Sequence, residues 1–298
     1  MDELATIRRF NRTYTPRIGA LDDSFLGSGL PLAAARMLFE VGPDGATVRD
    51  LRRRLGLDSG YVSRLLRGLE QHELVTLSDD PEDRRRRVCR LTATGRRRWS
   101  RLDARSNEVA ARLLDPLTAG QRRRLADALA TAELLVRAST VSIEQADPGG
   151  AAATTALSAY FDELDERFPN GFDRADALDV GAGTMRAPRG ALLVASAADG
   201  SVVGCGGVQA LDDETAEVKR MWIHSDWRGA GLGRRLLAEL ERHCVAVGYA
   251  RVVLDTNATL TEAIAMYESA GYRQVERYND NPYAERWFAK ELHAASAR

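Results

Sequence analysis

Lysine is nearly absent from this chain: Lys219 and Lys290 stand against 40 arginines in 298 residues. That skew reads as codon bias in a GC-rich genome, so abundant arginine alone is weak evidence for a nucleic-acid partner. Cysteine is equally scarce. Cys89, Cys205 and Cys244 are odd in number, widely spaced and without a CxxC. This argues against a disulfide framework or a zinc ribbon, predicts no metal, and fits a reducing, cytoplasmic setting. No apolar run approaches the roughly 20 residues that span a bilayer, so no membrane partner is expected. The opening MDELATIRRFNR lacks the apolar stretch of a secretory signal. What is present is ordinary for a globular chain: 44% hydrophobic and 29% charged residues. That is enough apolar material for folded cores, and the length predicts two domains.

The net charge of −1 conceals a division. Residues 1–145 carry 26 Arg, no Lys and 20 acidic residues, or +6, while the remainder carries 16 basic and 23 acidic residues, or −7. A basic half joined to an acidic half predicts two different tasks, with nucleic acid a candidate for the first. The pattern changes near residues 138–148, which places the domains at 1–140 and 141–298.

The first half reads as helices with one interruption. Apolar spacing predicts helices over Ile7–Ile18 and Pro31–Val41. Thr47 and Asp58 are cap residues for helices ending at Leu55 and Gln71. Segment 47–71 thus has the proportions of a helix-turn-helix. Val62, Leu65, Leu66 and Leu69 form the apolar stripe of its second helix. Ser59, Gly60, Ser63, Arg64 and Arg67 occupy the other side, small or cationic as a helix in a major groove requires. A solvated helix face would look the same. Two β-like segments, Leu74–Leu77 and Val88–Leu91, flank SDDPEDRRRR. The run Arg84, Arg85, Arg86 and Arg87 repels itself unless an anion lies near, and a wing in a minor groove meets one. Thr92 starts a long helix that breaks near Pro116, and Thr118–Arg137 is another.

Helix, wing and the following LTATG, in this order, resemble the MarR family of winged helix-turn-helix regulators, whose wing reads DPxDRR…LTxxG. The resemblance covers about residues 1–140. It implies a mainly α winged helix-turn-helix domain that binds palindromic double-stranded DNA. It also implies a homodimer formed through the first and last helices, at roughly 2–20 and 97–138. A scaffold that no longer binds DNA is the alternative.

In the second half, strands are expected at Val141–Gln145, Ala191–Ala195, Val202–Gln209, Ala216–Ile223, Arg251–Asp255, Tyr272–Tyr278 and Arg286–Leu292. Helices are expected over Ala151–Phe168, Gly231–Val247 and Leu260–Ala270. The sequence Trp227-Arg228-Gly229-Ala230-Gly231-Leu232-Gly233-Arg234 follows a strand and opens an amphipathic helix. Its glycines let backbone amides approach an anion, and the helix dipole assists. It is neither a P-loop nor a G-x-G-x-x-G turn.

With the strand Glu217–Ile223 before it and Met266–Tyr272 after it, this segment resembles the GNAT acetyltransferases. Arg228–Gly233 matches their R/Q-x-x-G-x-G/A loop, and Met266–Tyr272 their Tyr-x-x-x-Gly-Phe/Tyr motif. The resemblance implies an α/β acyltransferase fold with a mixed central sheet over about residues 140–292, acetyl-CoA as co-substrate, and an amine acceptor. By this likeness Arg228 to Arg234 cradle the pyrophosphate. Met221, Trp222 and Ile223 offer backbone along a splayed strand, and Asn257 hydrogen-bonds the pantetheine arm. Glu217 is the expected base, with a surface ion pair to Lys219 as the equal alternative. Tyr267 is expected to protonate the departing thiolate. Phe161, Phe168 and Phe172, with Tyr278 and Tyr283 of the tail loop, fall where the family binds its acceptor, although Tyr160, Phe161, Phe168 and Phe172 would equally serve as helical core. The expected activity is acetyl transfer to a primary amine, of a small molecule more than of a protein, combined with transcriptional regulation. A regulator whose second domain only senses acetyl-CoA or another ligand, and a protein-lysine acetyltransferase, are the alternatives.

Overall fold

The computed structural model describes residues 2–80, 83, 86–168, 171–172 and 184–292. It forms two compact units, residues 1–131 and 132–298.

The first unit contains α1 (Glu3–Tyr14), α2 (Leu32–Val41), α3 (Val48–Leu55), α4 (Ser59–Gln71) and α5 (Ala93–Leu114), with strands β1 (Ala46–Thr47), β2 (Val75–Asp79) and β3 (Arg87–Leu91). The strands form an antiparallel sheet ordered β1-β3-β2. The two-residue β1 was not expected from the sequence, being too short to show a period. Capping side chains fix the helix starts. Thr47 Oγ1 accepts the Asp50 amide at 3.0 Å and Asp58 Oδ1 the Tyr61 amide at 2.9 Å. Thr92 Oγ1 accepts the Gly95 amide and donates to the Glu73 carbonyl, tying the start of α5 to the turn between α4 and β2. Gly95 has no room for a side chain, because a Cβ there would run into the Leu74 carbonyl. Leu38, Leu51, Val62, Leu66, Leu69 and Leu102 join one core, so α2 to α5 share a single apolar centre.

Helix α6 (Ala119–Ser139) crosses the division, and its last residues belong to the second unit. There Ala138 and Val141 pack with Ala195, Val203, Trp227 and Leu232. Arg235 donates to the carbonyls of Ala138 and Val141. The second unit continues with β4 (Ser142–Ala146), α7 (Ala151–Arg167), β5 (Ala191–Ser196), β6 (Val202–Ala210), β7 (Thr215–Ile223), α8 (Leu232–Val247), β8 (Arg251–Thr256), α9 (Thr261–Ser269), β9 (Arg273–Gln274) and β10 (Arg286–Glu291). Its mixed sheet runs β4-β5-β6-β7-β8-β10-β9, with β7 and β8 the parallel pair. Alternate residues of β6 face two helical layers. Val208 packs with Leu236 and Leu240 of α8, and Cys205 with Phe161 and Leu164 of α7.

The strand expected over Tyr272–Tyr278 ends at Gln274. Beyond Val275 the chain turns, with Arg277 bonded to the Asn279 carbonyl and to Asp280. The loop then carries Pro282, which has no amide for a ladder.

Candidate functional site

Two features of β7 shape the site. Cys205 of β6 pairs with Trp222 and Gly207 pairs with Lys219, so Arg220 and Met221 together oppose Gly206. This is a β-bulge, and Arg220 takes the left-handed φ of 57°. On its other side, β7 pairs with β8 at Thr215↔Arg251, Ala216↔Val252 and Glu217↔Val253, and the pairing stops there. β7 continues to Ile223 and β8 to Thr256, so the two strands part, and two adjoining cavities lie along the unpaired stretch.

The first cavity, of about 650 Å³, is lined by Met221, Trp222 and Ile223 of β7, by Arg228, Gly229, Gly231, Leu232, Gly233 and Arg234, and by Tyr267 of α9. These are the residues in which the sequence places the cofactor, with two departures. Ala230 packs instead beside Trp227 and Leu232. Asn257 lines the other cavity, its Nδ2 donating to the Tyr283 carbonyl at 2.9 Å and its Oδ1 accepting from Thr259. Gly229 and Gly231 have φ of 82° and 76°, and a Cβ on either would meet no protein atom within 4 Å. The glycines are therefore required by backbone shape, and they leave the cavity open against the main chain. No side chain caps α8 at Gly231, so its first amides lack partners within the helix. That is suitable for a diphosphate.

Sequence reasoning missed a charged belt in this cavity. Glu163 of α7 accepts the Trp222 indole N–H at 2.8 Å, binds Arg228 through both oxygens, and meets Arg167 at 3.2 Å. Arg167 goes on to Glu262 at 3.1 Å, and Arg228 Nε–H donates to the Ile223 carbonyl at 2.9 Å. Burial pushes the Glu163 carboxyl up. The hydrogen bonds from Arg228 and Trp222 and the Arg228 charge outweigh it, leaving the group below the usual carboxylate range. Glu163 carries no motif, and only the fold brings it to β7.

The second cavity, of about 560 Å³, lies beside the first, and Tyr160, Leu164, Met221, Leu260, Ala263 and Tyr267 line both. Its polar wall centres on Glu217, which is 2% exposed. Glu217 accepts from Gln209 at 2.7 Å, from the Tyr278 hydroxyl at 2.9 Å and from Asn279 at 3.0 Å, and the Lys219 ammonium stands 3.2 Å away. Asp255 accepts from Asn279 at 2.5 Å and Asn281 at 3.2 Å and lies 3.7 Å from Lys219. Thr184 Oγ1 donates to the Gln209 carbonyl oxygen and Trp287 Nε1 to that of Asn279, so both amides are held with their NH₂ toward the carboxylates. Asn279 and Asn281, legible only as turn formers in sequence, serve this network. Tyr278, expected against the acceptor, directs its hydroxyl at Glu217 and is not among the lining residues. Burial first, then the charges of Glu217 and Asp255, raises its pKa.

Phe161, Phe168, Phe172 and Tyr283 form the other wall. Tyr267 is 5% exposed and reaches both cavities. Burial, with the Asp255 charge behind it, raises its phenol above the ordinary value. Cys205 is buried and its thiol pushed up to about 12 by that burial, which keeps it protonated. Among the described residues no cluster of His, Cys, Asp and Glu is placed to hold a metal ion. Among them, too, no helix is long and apolar enough to cross a membrane.

In the first unit, Ser59, Gly60, Ser63, Arg64 and Arg67 are all exposed on α4, while Val62, Leu66 and Leu69 face the core. The Arg64 guanidinium lies 5.6 Å from the Tyr61 ring centroid. Arg86 is exposed, 3.2 Å from Asp83, and Arg84 and Arg85 lie outside the described residues. No residue of α1 is buried, and Leu4, Ile7 and Phe10 are exposed there.

Comparison with known proteins agrees with both halves. Residues 28–86 match the model of the MarR family, and residues 157–272 that of the acetyltransferase (GNAT) family. An uncharacterized N-acetyltransferase of Schizosaccharomyces pombe is 35% identical over 96 residues, 32% of this chain and 59% of that protein. The chain therefore spans about three fifths of that relative's length. The aminoglycoside N(6')-acetyltransferase type 1 of Stenotrophomonas maltophilia is 28% identical over 148 residues, 47% of this chain and 91% of its own. A MarR-family transcriptional regulator from Rhodococcus sp. RHA1, a solved structure, is 22% identical with a TM-score of 0.37 and covers 44% of this chain and 96% of its own.

Proposed function

From a chain that joins a MarR-family winged helix to a GNAT-family acetyltransferase domain, we propose a DNA-binding regulator that also transfers the acetyl group of acetyl-CoA to a primary amine of a small molecule. The observation that carries the second activity is the end of β7–β8 pairing at Glu217↔Val253, which opens one cavity onto the glycine loop and one onto a buried carboxylate. Acetyl-CoA occupies the first cavity, its diphosphate on the amides of Gly229–Arg234. The acceptor occupies the second.

The amine nitrogen attacks the thioester carbonyl carbon, the C–S bond breaks, and the electron pair leaves on sulfur. A backbone amide of Met221–Ile223, on the edge that β8 has left, stabilises the oxyanion. The proton lost from nitrogen passes by water to Glu217, and Tyr267 hydrogen-bonds the departing thiolate. In the first unit α4 enters a major groove and the arginine-rich β2–β3 turn a minor groove. A homodimer through α1 and the last helices, supported by the exposed Leu4, Ile7 and Phe10, presents two copies of α4 to a palindrome.

Thiol release from acetyl-CoA across a panel of amines tests the reaction. Release that depends on an amine supports it. Acetyl-CoA binding without release for any amine would leave a ligand-sensing regulator.

A further inference from the structure

The second cavity has two unlike walls, and together they specify a kind of acceptor. On one side four rings form a continuous surface. Phe161 stacks on Phe172 with centroids 5.6 Å and planes 14° apart. Phe172 meets Tyr283 at 4.7 Å, and Tyr283 stacks on Phe168 at 5.8 Å. Phe161 of α7 and Phe168 at its C-terminal end are buried, whereas Phe172 and Tyr283 are only partly covered. The backbones of these last two are clamped. The Phe172 amide donates to Asp165 at 3.0 Å. Tyr283 receives Asn257 on its carbonyl and donates its amide to Asn281 at 3.1 Å. Backbones held in this way, with the rings packed on Phe161, Phe168 and each other, make an apolar face that a ligand need not assemble at its own expense.

The opposite wall is charged, but its groups are occupied with one another. Glu217 takes four donors, Asp255 takes two amides, and Lys219 lies between them. At the bulge, the Arg220 guanidinium sits over the Phe161 ring at 5.6 Å and extends the flat surface. A heavily hydroxylated body would give up water here and find rings on one side and satisfied groups on the other. An aromatic body buries apolar area and gains offset or edge contacts with Phe172 and Tyr283.

We propose that the acceptor is an arylalkylamine, its ring on the Phe172–Tyr283 face and its primary amine, on a short alkyl chain, directed to Tyr160, Met221 and Tyr267 where the two cavities meet. This assignment rests on the amine-transfer reading above, and the experiment separates the two. Full-length protein with acetyl-CoA is given 2-phenylethylamine, hexylamine, spermidine or a lysine-containing peptide, and thiol release is followed. Binding of each amine is measured in parallel by calorimetry.

The expected result is a kcat/KM for 2-phenylethylamine about tenfold or more above each of the others, with binding in the same order. Tyr283→Ala and Phe172→Ala should each weaken 2-phenylethylamine binding while acetyl-CoA still binds. If spermidine or the peptide is preferred, the acceptor assignment is wrong and the acetyltransferase stands. If 2-phenylethylamine binds selectively but no amine releases thiol, the aromatic site stands and the reaction falls. Hexylamine equal to 2-phenylethylamine would reduce the site to an apolar slot and overturn the aromatic assignment.

Discussion

The indole N–H of Trp222 donates to Glu163 at 2.8 Å, and the same carboxylate holds Arg228. Helix α7 and the free end of β7 are thereby tied across the first cavity by one side chain. Because the folded Glu163 carboxyl sits below its usual range, it contributes stability above the unfolded pKa of about 4.3 and loses it as pH falls through the folded value. Glu163→Gln keeps an acceptor for Trp222 but loses the charge. It should melt lower than wild type at pH 7 by at most about 1 kcal/mol, since Arg228 is partly open to solvent. The gap should narrow as pH falls below the unfolded value of about 4.3 toward the folded one. Thermal melts of both proteins at pH 7 and pH 3.5 check this, and a gap that does not narrow would mean that the ion pair is not its source.

The open space beside Gly231 leads to a second expectation. A Cβ there meets no protein atom within 4 Å, so a small side chain brings a backbone penalty and an obstacle to ligand. Gly231→Ala bears only the left-handed φ, of order 1–2 kcal/mol. Gly231→Asp adds a carboxylate against the diphosphate. Calorimetry should show acetyl-CoA affinity lowered by Gly231→Ala and abolished by Gly231→Asp, with the oligomeric state unchanged in both. Equal affinities for the two variants would remove the diphosphate from this loop.

For the winged helix, full-length protein should bind a palindromic duplex with an affinity that falls steeply as salt rises. Arg64 and Arg67 are exposed beside the small residues Ser59, Gly60 and Ser63. Arg64→Ala should weaken binding, and loss of one phosphate contact lowers the salt slope by about 1. Arg85→Ala should act in the same direction. Fluorescence anisotropy at several salt concentrations measures both. Binding that neither variant changes would place the DNA on another face.

The parts of this molecule legible in sequence are those written in short range. Thr47, Asp58 and Thr92 cap helices because each cap needs only the amide three residues on, and the glycine loop is contiguous from Gly229 to Gly233. The aromatic wall of the second cavity was legible in part, because Phe161, Phe168 and Phe172 are close in the chain. Glu163, Asp255 and Asn279 were not. Glu163 meets Trp222 across 59 positions and Asn279 meets Glu217 across 62. Nothing in their own neighbourhoods distinguishes them from helix surface, strand end and turn. The same long range misled the reading of Tyr278, an aromatic expected against substrate that instead supports the carboxylate.

That support bears on whether Glu217 is a base or an anchor. With four donors around it, removal of its charge leaves the Lys219 ammonium with Asp255 alone, at 3.7 Å. Lys219 is partly exposed, yet the buried Glu217 takes most of its donors from other elements, so Glu217→Gln alone would lower activity in either role. Adding Lys219→Gln removes the under-compensated cation, while Asp255 keeps its amide donors from Asn279 and Asn281, and should restore most of the stability. If Glu217 receives the amine's proton, the double variant melts near wild type yet keeps a kcat about 10²–10⁴-fold low, with the acidic limb of the pH profile flattened. If Glu217 only positions the wall, kcat returns with the melting temperature. Tyr267→Phe supplies the contrasting pattern. Its ring still packs between the cavities, so KM for acetyl-CoA should change little while kcat falls. A thioester with a more acidic thiol needs less help in departure and should rescue Tyr267→Phe without rescuing the double variant. Rescue of both to the same extent would mean that thiol departure limits the rate, and would remove Glu217 from the proton path.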